Sequence, residues 1–180
     1  MIKISVLGTG IWGSAIGKLL TQNGHEVILW QRDAEKVKAM EADRKHPFFA
    51  DLTFSDEVKF TSDLDMAIKG SQIIVVAVPS HSVRELVSRA VDFIENNVII
   101  VNISKGLELD TLLTMSSVIS EETVGKNLSI VSLYGPSHAE EVIRKIPTTL
   151  VATSTDENSS KKVQYIFSSS VLRVYTITDI

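Results

Sequence analysis

Three closely spaced glycines near the N-terminus constrain the fold more than any other feature of this sequence. Residues 8–13 read Gly-Thr-Gly-Ile-Trp-Gly, directly after an apolar, β-branched run at residues 2–7. At this spacing Gly8 permits a tight turn, Gly10 leaves room for a phosphate because it has no Cβ, and Gly13 lets a helix pack closely on a strand. The backbone N–H groups at the start of such a helix are free to bind an anion. The pattern predicts a strand–turn–helix unit that holds the pyrophosphate of a dinucleotide; a glycine-rich turn without a ligand is the alternative.

The rest of the chain alternates between strand-like and helix-like segments. Further apolar runs occur at residues 26–30, 73–78, 98–103, 128–133, 148–152 and 171–175, and helix-period patterns at 12–23, 82–93, 110–119, 137–143 and 156–167. Most of the strand runs are apolar nearly throughout, which is typical of strands buried on both faces. We predict an α/β fold with a Rossmann-type doubly wound, mostly parallel sheet and helices on both faces. Residues 42–55 are predicted to be a loop.

The composition narrows the possible classes of function. The 180 residues carry a formal charge of −4, so we expect no basic surface for nucleic acid or an anionic membrane. The absence of cysteine excludes disulfides, thiolate nucleophiles and cysteine-bound zinc. The four histidines lack metal-ligand spacing, and we expect no metal site. No segment approaches the ~20 apolar residues that span a bilayer, so we expect a cytoplasmic protein whose residues 1–180 form one domain and whose partner is a small molecule.

The end of the second predicted strand bears on which dinucleotide is bound. NAD-selective sites usually place Asp or Glu there to bind the ribose hydroxyls. Here Gln31, Arg32 and Asp33 follow the strand. Arg32 can pair with a 2′-phosphate, whereas Asp33 comes one or two positions late and can instead cap the next helix. These residues favour NADP(H), with NAD(H) as the alternative; a solvated surface arginine is the other interpretation of Arg32.

Three further motifs follow predicted strands, at the edge where open α/β sheets bind ligands. They are Val-Ala-Val-Pro-Ser at residues 76–80, Asn-Ile-Ser-Lys-Gly-Leu-Glu at 102–108 and Tyr-Gly-Pro-Ser-His-Ala-Glu-Glu-Val at 134–142. Lys105 offers a point charge to a phosphate or carbonyl oxygen. The Gly-Pro-Ser at 135–137 offers N–H groups and a hydroxyl at a helix start. His138 has two interpretations, a group that polarises a carbonyl or an ordinary residue at a helix end.

Together with Trp12 in the glycine turn, these motifs resemble those of the bacterial NAD(P)-dependent glycerol-3-phosphate dehydrogenases, from residue 1 to about 175. That family interconverts sn-glycerol 3-phosphate and dihydroxyacetone phosphate for glycerophospholipid synthesis. The resemblance implies that the substrate contacts are Lys105, Gly135 and Ser137. It implies that the cofactor contacts are Gly8, Gly10, Ile11, Trp12, Gly13, Gln31, Arg32, Phe49, Pro79, Lys105 and Ala139. Phe49 stands where the family often has Tyr or His, in a loop whose alignment can shift by one residue.

The resemblance also implies that no catalytic residue lies in this chain. In the family, the general acid/base lysine belongs to an all-helical second domain beyond the last predicted strand. We therefore expect the chain to bind NADP(H) with little or no turnover, and to associate with itself through apolar surface exposed on its late strands. Two other functions remain open. One is the cofactor domain of a related two-domain dehydrogenase, such as a ketopantoate reductase or a 6-phosphogluconate type, and the other is a non-catalytic module that senses NADP(H).

Overall fold

The structure is a computed structural model that describes residues 1–177, while residues 178–180, the end of the predicted domain, lie outside the described residues. In chain order the elements are β1 (Lys3–Leu7), α1 (Ile11–Gln22), β2 (Glu26–Trp30), α2 (Ala34–Asp43), β3 (Lys45–His46), β4 (Phe49–Thr53), β5 (Lys59–Thr61), α3 (Leu64–Ile68), β6 (Ile73–Val76), α4 (Val83–Ala90), β7 (Ile99–Asn102), α5 (Met115–Glu122), β8 (Ser129–Tyr134), α6 (Ala139–Ile143), β9 (Thr148–Thr153), α7 (Glu157–Phe167) and β10 (Leu172–Ile177).

Eight of these strands form one sheet in the order β10-β9-β8-β7-β6-β1-β2-β5. β1 lies between β2 and β6 and is parallel to both, so the strand order reverses beside it. The predicted mostly parallel sheet is confirmed, with one departure. β9 runs antiparallel to β8, and β10 is parallel to β9, so the last two strands run opposite to the other six. The point where the strand order reverses is where folds of this kind bind their ligands.

The strands are buried on both faces, as their continuous apolar runs predict. Residues of β1 such as Ile4 and Val6 pack with α1, α2 and α7 on one face, where Phe167 is among the largest fully buried side chains. Residues of β6 such as Ile74 and Val76 pack with α3, α4 and α5 on the other face. The two helical layers hold the carboxyl ends of β1 and β6 side by side in the middle of the sheet.

The structure corrects the sequence prediction in two regions. The loop predicted at 42–55 contains the hairpin of β3 and β4, and the neighbouring α2, β5 and α3 were not predicted. The helix predicted at 110–119 begins at Met115, where the Thr114 side chain accepts a hydrogen bond from the Ser117 N–H at 3.3 Å. Leu107 and Thr114 form an isolated β-bridge, so the chain between them is a loop instead of a helix.

Candidate functional site

The glycine turn is tightly packed on its protein side and open on the other. Gly8 has φ +122°, a conformation that favours glycine, and a Cβ there would meet the Ala77 carbonyl. A Cβ at Gly13 would lie 2.8 Å from the Ala77 Cβ and closer still to the Gly8 carbonyl oxygen. At Gly10, in contrast, a Cβ would meet no atom within 4 Å. The chain therefore leaves free space at the position where a phosphate is expected to approach.

A cleft of two compartments lies above this turn. The first, of about 270 Å³, is lined by Gly8, Thr9, Gly10, Trp30, Gln31, Arg32, Ala77, Val78, Pro79, His81, Ser82, Glu85, Leu86 and Arg89. The second, of about 370 Å³, is lined by Gly10, Ile11, Trp12, Gly13, Ala77, Val78, Pro79, Ile103, Ser104, Lys105, Ser137, His138 and Ala139. Gly10 and residues 77–79 line both compartments, so the two meet over the glycine turn and the end of β6. This arrangement fits a ligand with a phosphate centre and two bulky ends.

The turn is held in place by polar contacts to Thr9, a buried residue between the first two glycines. The Gln31 amide donates to the Thr9 hydroxyl oxygen at 2.7 Å. The Nε2–H of His46, on the hairpin, donates to the Thr9 carbonyl at 3.0 Å, while its Nδ1 accepts from the Phe48 N–H at 3.2 Å. These two bonds require the neutral ring, and burial lowers the pKa of His46 despite the opposing effect of the Thr9 carbonyl.

The loop that carries Lys105 is anchored on both sides of that residue. Before it, the Ser104 N–H donates to the Asn102 side-chain oxygen at 3.0 Å and the Ser104 hydroxyl donates to the Val76 carbonyl at 3.3 Å. After it, Glu108 accepts two hydrogen bonds from the Arg84 guanidinium, at 2.7 and 2.8 Å. Lys105 thus lies on a short span between two fixed points.

Arg84 connects this loop to α5 as well as to its own helix. Its guanidinium also donates to Glu121 at 2.8 Å and to Glu122 at 2.6 Å. The hydrogen bonds from Arg84 lower the pKa of Glu108 to about 2, and those carboxylates in turn raise the pKa of Arg84. Arg84 and Glu108 are therefore charged at neutral pH.

The Lys105 side chain extends into the second compartment. Its Nζ donates to the Ser137 carbonyl at 3.2 Å and lies 5.9 Å from the centre of the Trp12 ring. Ser137 is buried, and its hydroxyl donates to the Gly135 carbonyl at a long 3.3 Å. The ammonium group and this weakly held hydroxyl are two polar groups available to a ligand at this end of the cleft, which His138 also lines.

The structure places most of the predicted site residues on the cleft, and two elsewhere. Phe49 does not line it and packs against the core from β4, whereas its neighbour Phe48 is 76% exposed at the tip of the hairpin. Gly135 does not line it either. A Cβ at Gly135 would meet the Thr149 carbonyl at 2.6 Å, so close strand packing already requires glycine there.

Sequence reasoning missed one wall of the first compartment. That wall is formed by α4 and the short turn before it, which contribute His81, Ser82, Glu85, Leu86 and Arg89. The helix-period pattern over 82–93 identified the core side of α4 through Val83, Leu86, Val87 and Ala90. Positions 82, 85 and 89 share the adjacent face at helical spacing, which is the signal that could have found them.

No group of three or more His, Cys, Asp or Glu side chains within residues 1–177 could hold a metal ion. In the same part of the chain, none of the helices combines the length and the apolar character that crossing a membrane requires.

Comparison with known proteins places this geometry in a family. Residues 3–160 match the family described as NAD-dependent glycerol-3-phosphate dehydrogenase N-terminus. Glycerol-3-phosphate dehydrogenase (NAD(P)+) 2 of Lactobacillus delbrueckii is 41% identical over 99% of the chain, and the enzyme of Fusobacterium nucleatum is 40% identical over 99% of it. The crystal structure of glycerol-3-phosphate dehydrogenase from Coxiella burnetii superposes with a TM-score of 0.90 at 27% identity and covers 99% of the chain.

The chain spans 54% of the length of both sequence relatives and 55% of the Coxiella burnetii chain. It aligns with their N-terminal half, the part that the matched family describes. On these matches, the chain belongs to the family of the NAD-dependent glycerol-3-phosphate dehydrogenase N-terminus.

Proposed function

We propose that this chain is the cofactor-binding half of an NAD(P)-dependent glycerol-3-phosphate dehydrogenase of glycerophospholipid synthesis. In the reaction, a hydride passes between C2 of sn-glycerol 3-phosphate and the nicotinamide, and the C2 hydroxyl proton goes to a general base as the carbonyl of dihydroxyacetone phosphate forms. The proposal rests on the cleft, whose two compartments meet over Gly10. The nicotinamide cofactor supplies the hydride chemistry when bound, and the chain supplies position and charge.

The residues around the glycine turn fit a dinucleotide. The open space at Gly10 admits the pyrophosphate, and the unpaired N–H groups at the start of α1 offer it hydrogen bonds. Ile11 and Trp12 begin that helix and line the second compartment, where Ala139 forms the opposite wall. This end would hold the nicotinamide, and the first compartment would hold the adenosine.

Lys105 and Ser137 are the proposed substrate contacts. The Lys105 ammonium would neutralise charge on the substrate phosphate or its C2 oxygen, and the Ser137 hydroxyl would donate to the phosphate. Gly135 would take part through its backbone, because packing leaves no room for a side chain there. Proton transfer would come from the lysine that the family carries in its second half, so the chain alone is expected to show at most trace turnover of dihydroxyacetone phosphate with NADPH.

Charges in the first compartment favour NADP(H) over NAD(H). Arg32 is exposed at its rim and forms no ion pair with any residue from 1 to 177. Asp33, the acidic residue nearest to the NAD-type position, instead caps α2 by accepting from the Glu35 N–H at 3.0 Å. Arg89 lines the opposite wall, 3.7 Å from Glu85. Two arginines facing one compartment suit a 2′-phosphate better than a ribose hydroxyl.

Calorimetric titration of the chain with NADPH and then NADH at matched salt tests this proposal. NADPH is expected to bind more tightly than NADH. Arg32→Ala and Arg89→Gln are each expected to weaken NADPH binding about tenfold and to change NADH binding little. Arg173→Gln, an exposed position on β10, is the control and should change neither. No binding of either cofactor to a folded chain would contradict the proposed function. Equal loss for both cofactors would contradict only the assignment of the arginines.

We also propose self-association and a cytoplasmic location. Tyr165 of α7 and Tyr175 and Ile177 of β10, the strand at one edge of the sheet, are 84%, 49% and 48% exposed. A sedimentation coefficient that rises with concentration would support association through this surface. A monomer at high concentration would contradict it.

The cytoplasm is where an enzyme that depends on reduced nicotinamide cofactors finds them, and cell fractionation tests that location.

A further inference from the structure

A separate pocket of about 430 Å³ lies between α1, the end of α6 and the segment before β10. It shares no lining residue with either compartment of the cleft. Its lining residues are Ala15, Lys18, Leu19, Gln22, Asn23, Val142, Ile143, Lys145, Ser169, Ser170 and Val171. The buried lining residues Ala15, Leu19 and Val142 form an apolar floor, and the exposed ones form a polar rim. The lining includes two lysines and no acidic side chain.

The two lysines lack the carboxylate partners that neighbouring cations have. Neither Lys18 nor Lys145 forms an ion pair within residues 1–177, although Arg144 lies 3.5 Å from Asp51. Lys18 makes one hydrogen bond, to the Thr53 hydroxyl at 3.3 Å. Burial lowers the pKa of Lys18, and the positive charge of Lys145 lowers it further. In a chain with a net charge of −4, these two ammonium groups repel each other across a cavity without a counter-charge.

Neutral hydrogen-bond donors complete the rim. The Ser169 Oγ accepts from the Val171 and Leu172 N–H groups at 3.2 and 3.0 Å, so its own hydrogen is free to be donated. The Asn23 amide donates to the Ile166 and Ser168 carbonyls at 2.9 and 3.1 Å and holds this segment against α1. The pocket is thus built by contacts that do not depend on a ligand.

The backbone at Lys145 is the second unusual feature of the rim. Lys145 has φ +59°, in the left-handed region that favours glycine at the end of a helix. Its N–H donates to the Val142 carbonyl at 3.1 Å, and the next N–H, of Ile146, donates to the Glu141 carbonyl at 2.8 Å. These two bonds close the end of α6, and glycine is the usual residue at the position that Lys145 occupies in such a helix end. A lysine here costs conformational free energy, which is consistent with a role for its ammonium group.

We propose that this pocket binds a small organic phosphate, with the phosphoryl group between Lys18 and Lys145 and the carbon skeleton on the apolar lining. A phosphate monoester carries close to two negative charges at neutral pH and would remove the repulsion between the two ammonium groups. Lysine binds phosphate as a point charge, and the free hydrogen of Ser169 adds a directed donor. The apolar lining favours an ester over inorganic phosphate, because the partly exposed Ile143 and Val171 can be covered by its carbon atoms.

The test is an amide NMR titration of the ¹⁵N-labelled 180-residue chain with phenyl phosphate at constant ionic strength. Saturable shifts are expected at Gln22, Ser169 and Ser170, which report the pocket. Shifts at Gly10 and Trp12 would instead report the cleft. Inorganic phosphate is expected to bind the same amides more weakly. Shifts confined to the cleft, shifts that do not saturate, or equal shifts with chloride would each overturn the proposal.

Variants separate binding from folding. Lys18→Met and Lys145→Asn are each expected to weaken the binding of phenyl phosphate at least tenfold, since each removes one charge-assisted hydrogen bond. Asparagine tolerates the left-handed conformation, so Lys145→Asn should remain folded, and Lys18→Arg should restore most of the affinity lost in Lys18→Met. Lys162→Met, at an exposed lysine of α7, is the matched control and should bind as the wild type does. Unchanged affinity in both charge-removing variants would refute the assignment of the pocket.

Discussion

Replacing Gly10 with alanine should weaken NADPH binding and leave the fold intact. Gly10 has φ −62° and ψ 167°, which any residue can adopt, and a Cβ there meets nothing within 4 Å. Alanine lowers the entropy of the unfolded chain, which stabilises by about 0.4–1 kcal/mol, and loses the helix-capping preference of glycine, which costs a similar amount. We therefore expect the free energy of unfolding to change by less than about 1 kcal/mol, and the Tm by less than about 4 °C.

The matched variant Gly13→Ala should behave in the opposite way. Its Cβ would lie 2.8 Å from the Ala77 Cβ, about 0.6 Å short of ordinary contact, and closer still to the Gly8 carbonyl. Both neighbours belong to the packed junction of β1, β6 and α1, so α1 must move outwards. Overpacking of this kind costs about 1–3 kcal/mol, or roughly 2–12 °C in Tm for a domain of this size.

Thermal unfolding followed by circular dichroism and calorimetric titration with NADPH measure the two effects separately. Loss of at least one charge-assisted hydrogen bond to the pyrophosphate at Gly10 should weaken NADPH roughly 10- to 150-fold in Gly10→Ala. Wild-type affinity in folded Gly10→Ala would refute the argument that phosphates approach the backbone there. An unchanged Tm in Gly13→Ala would refute the argument that close contact with Ala77 requires glycine.

Three further predictions concern the support of the cleft. Arg84→Met should weaken NADPH binding several-fold in the wild-type background but not in a Lys105→Met background. Equal losses of affinity in both backgrounds would show that Arg84 does not act through Lys105. Since the pKa of His46 is lowered in the folded chain, the unfolded chain takes up the proton first, so stability should be complete above about pH 6.5 and fall as the pH decreases below it. Urea denaturation should show a smaller pH dependence in His46→Gln, and an identical profile would contradict this. The Phe48 ring packs edge-on against His46 with 6.1 Å between ring centres, so Phe48→Ala should loosen the His46 bond to Thr9 and weaken NADPH binding at an unchanged Tm. Unchanged affinity would contradict a supporting role for the hairpin tip.

Most of the sheet could be predicted because its strands are buried on both faces, and their sequences are therefore apolar nearly throughout. The predicted runs at 2–7, 26–30 and 98–103 overlap β1, β2 and β7 to within one residue at each end. Strand direction is not encoded in this way, and the reversal at β9 was missed. α6 has five residues and spans about 7.5 Å, whereas returning alongside a six-residue strand takes about 20 Å. The chain enters β9 at the edge where β8 ends, and the two strands are antiparallel.

The region between β2 and β6 was poorly predicted because its buried residues are scattered among exposed ones in short elements. α2 places only Val37 and Met40 in the core and is otherwise charged or small. β5 is three residues long and pairs with β2 alone, at the edge of the sheet. Apolar periodicity has little to detect in such segments, since their structure depends on caps and on neighbours distant in sequence.

Some residues of the candidate site could likewise be predicted from nearby sequence, whereas others come from elements distant in sequence. The glycines and the residues after β7 and β8 could be found because a strand, its turn and the following helix are contiguous in sequence. His46 could not, because it reaches the glycine turn from a hairpin. Helical spacing places Arg89 on one face of α4 with Ser82 and Glu85, but it does not show that this face lines the cleft. Only the packing of these elements brings the two side chains to the ligand site or its support.

The motif at 102–108 shows why a family pattern does not by itself assign roles. Lys105 and Glu108 belong to the same short motif, yet the first lines the cleft and the second turns away to Arg84. The motif therefore combines a residue placed to contact a ligand with a residue that holds the loop. The double-mutant cycle with Arg84 distinguishes them, since a supporting residue can act on the ligand only while Lys105 is there to be positioned. Where a side chain points, and what it bonds to, is therefore the observation that converts a matched motif into a mechanism.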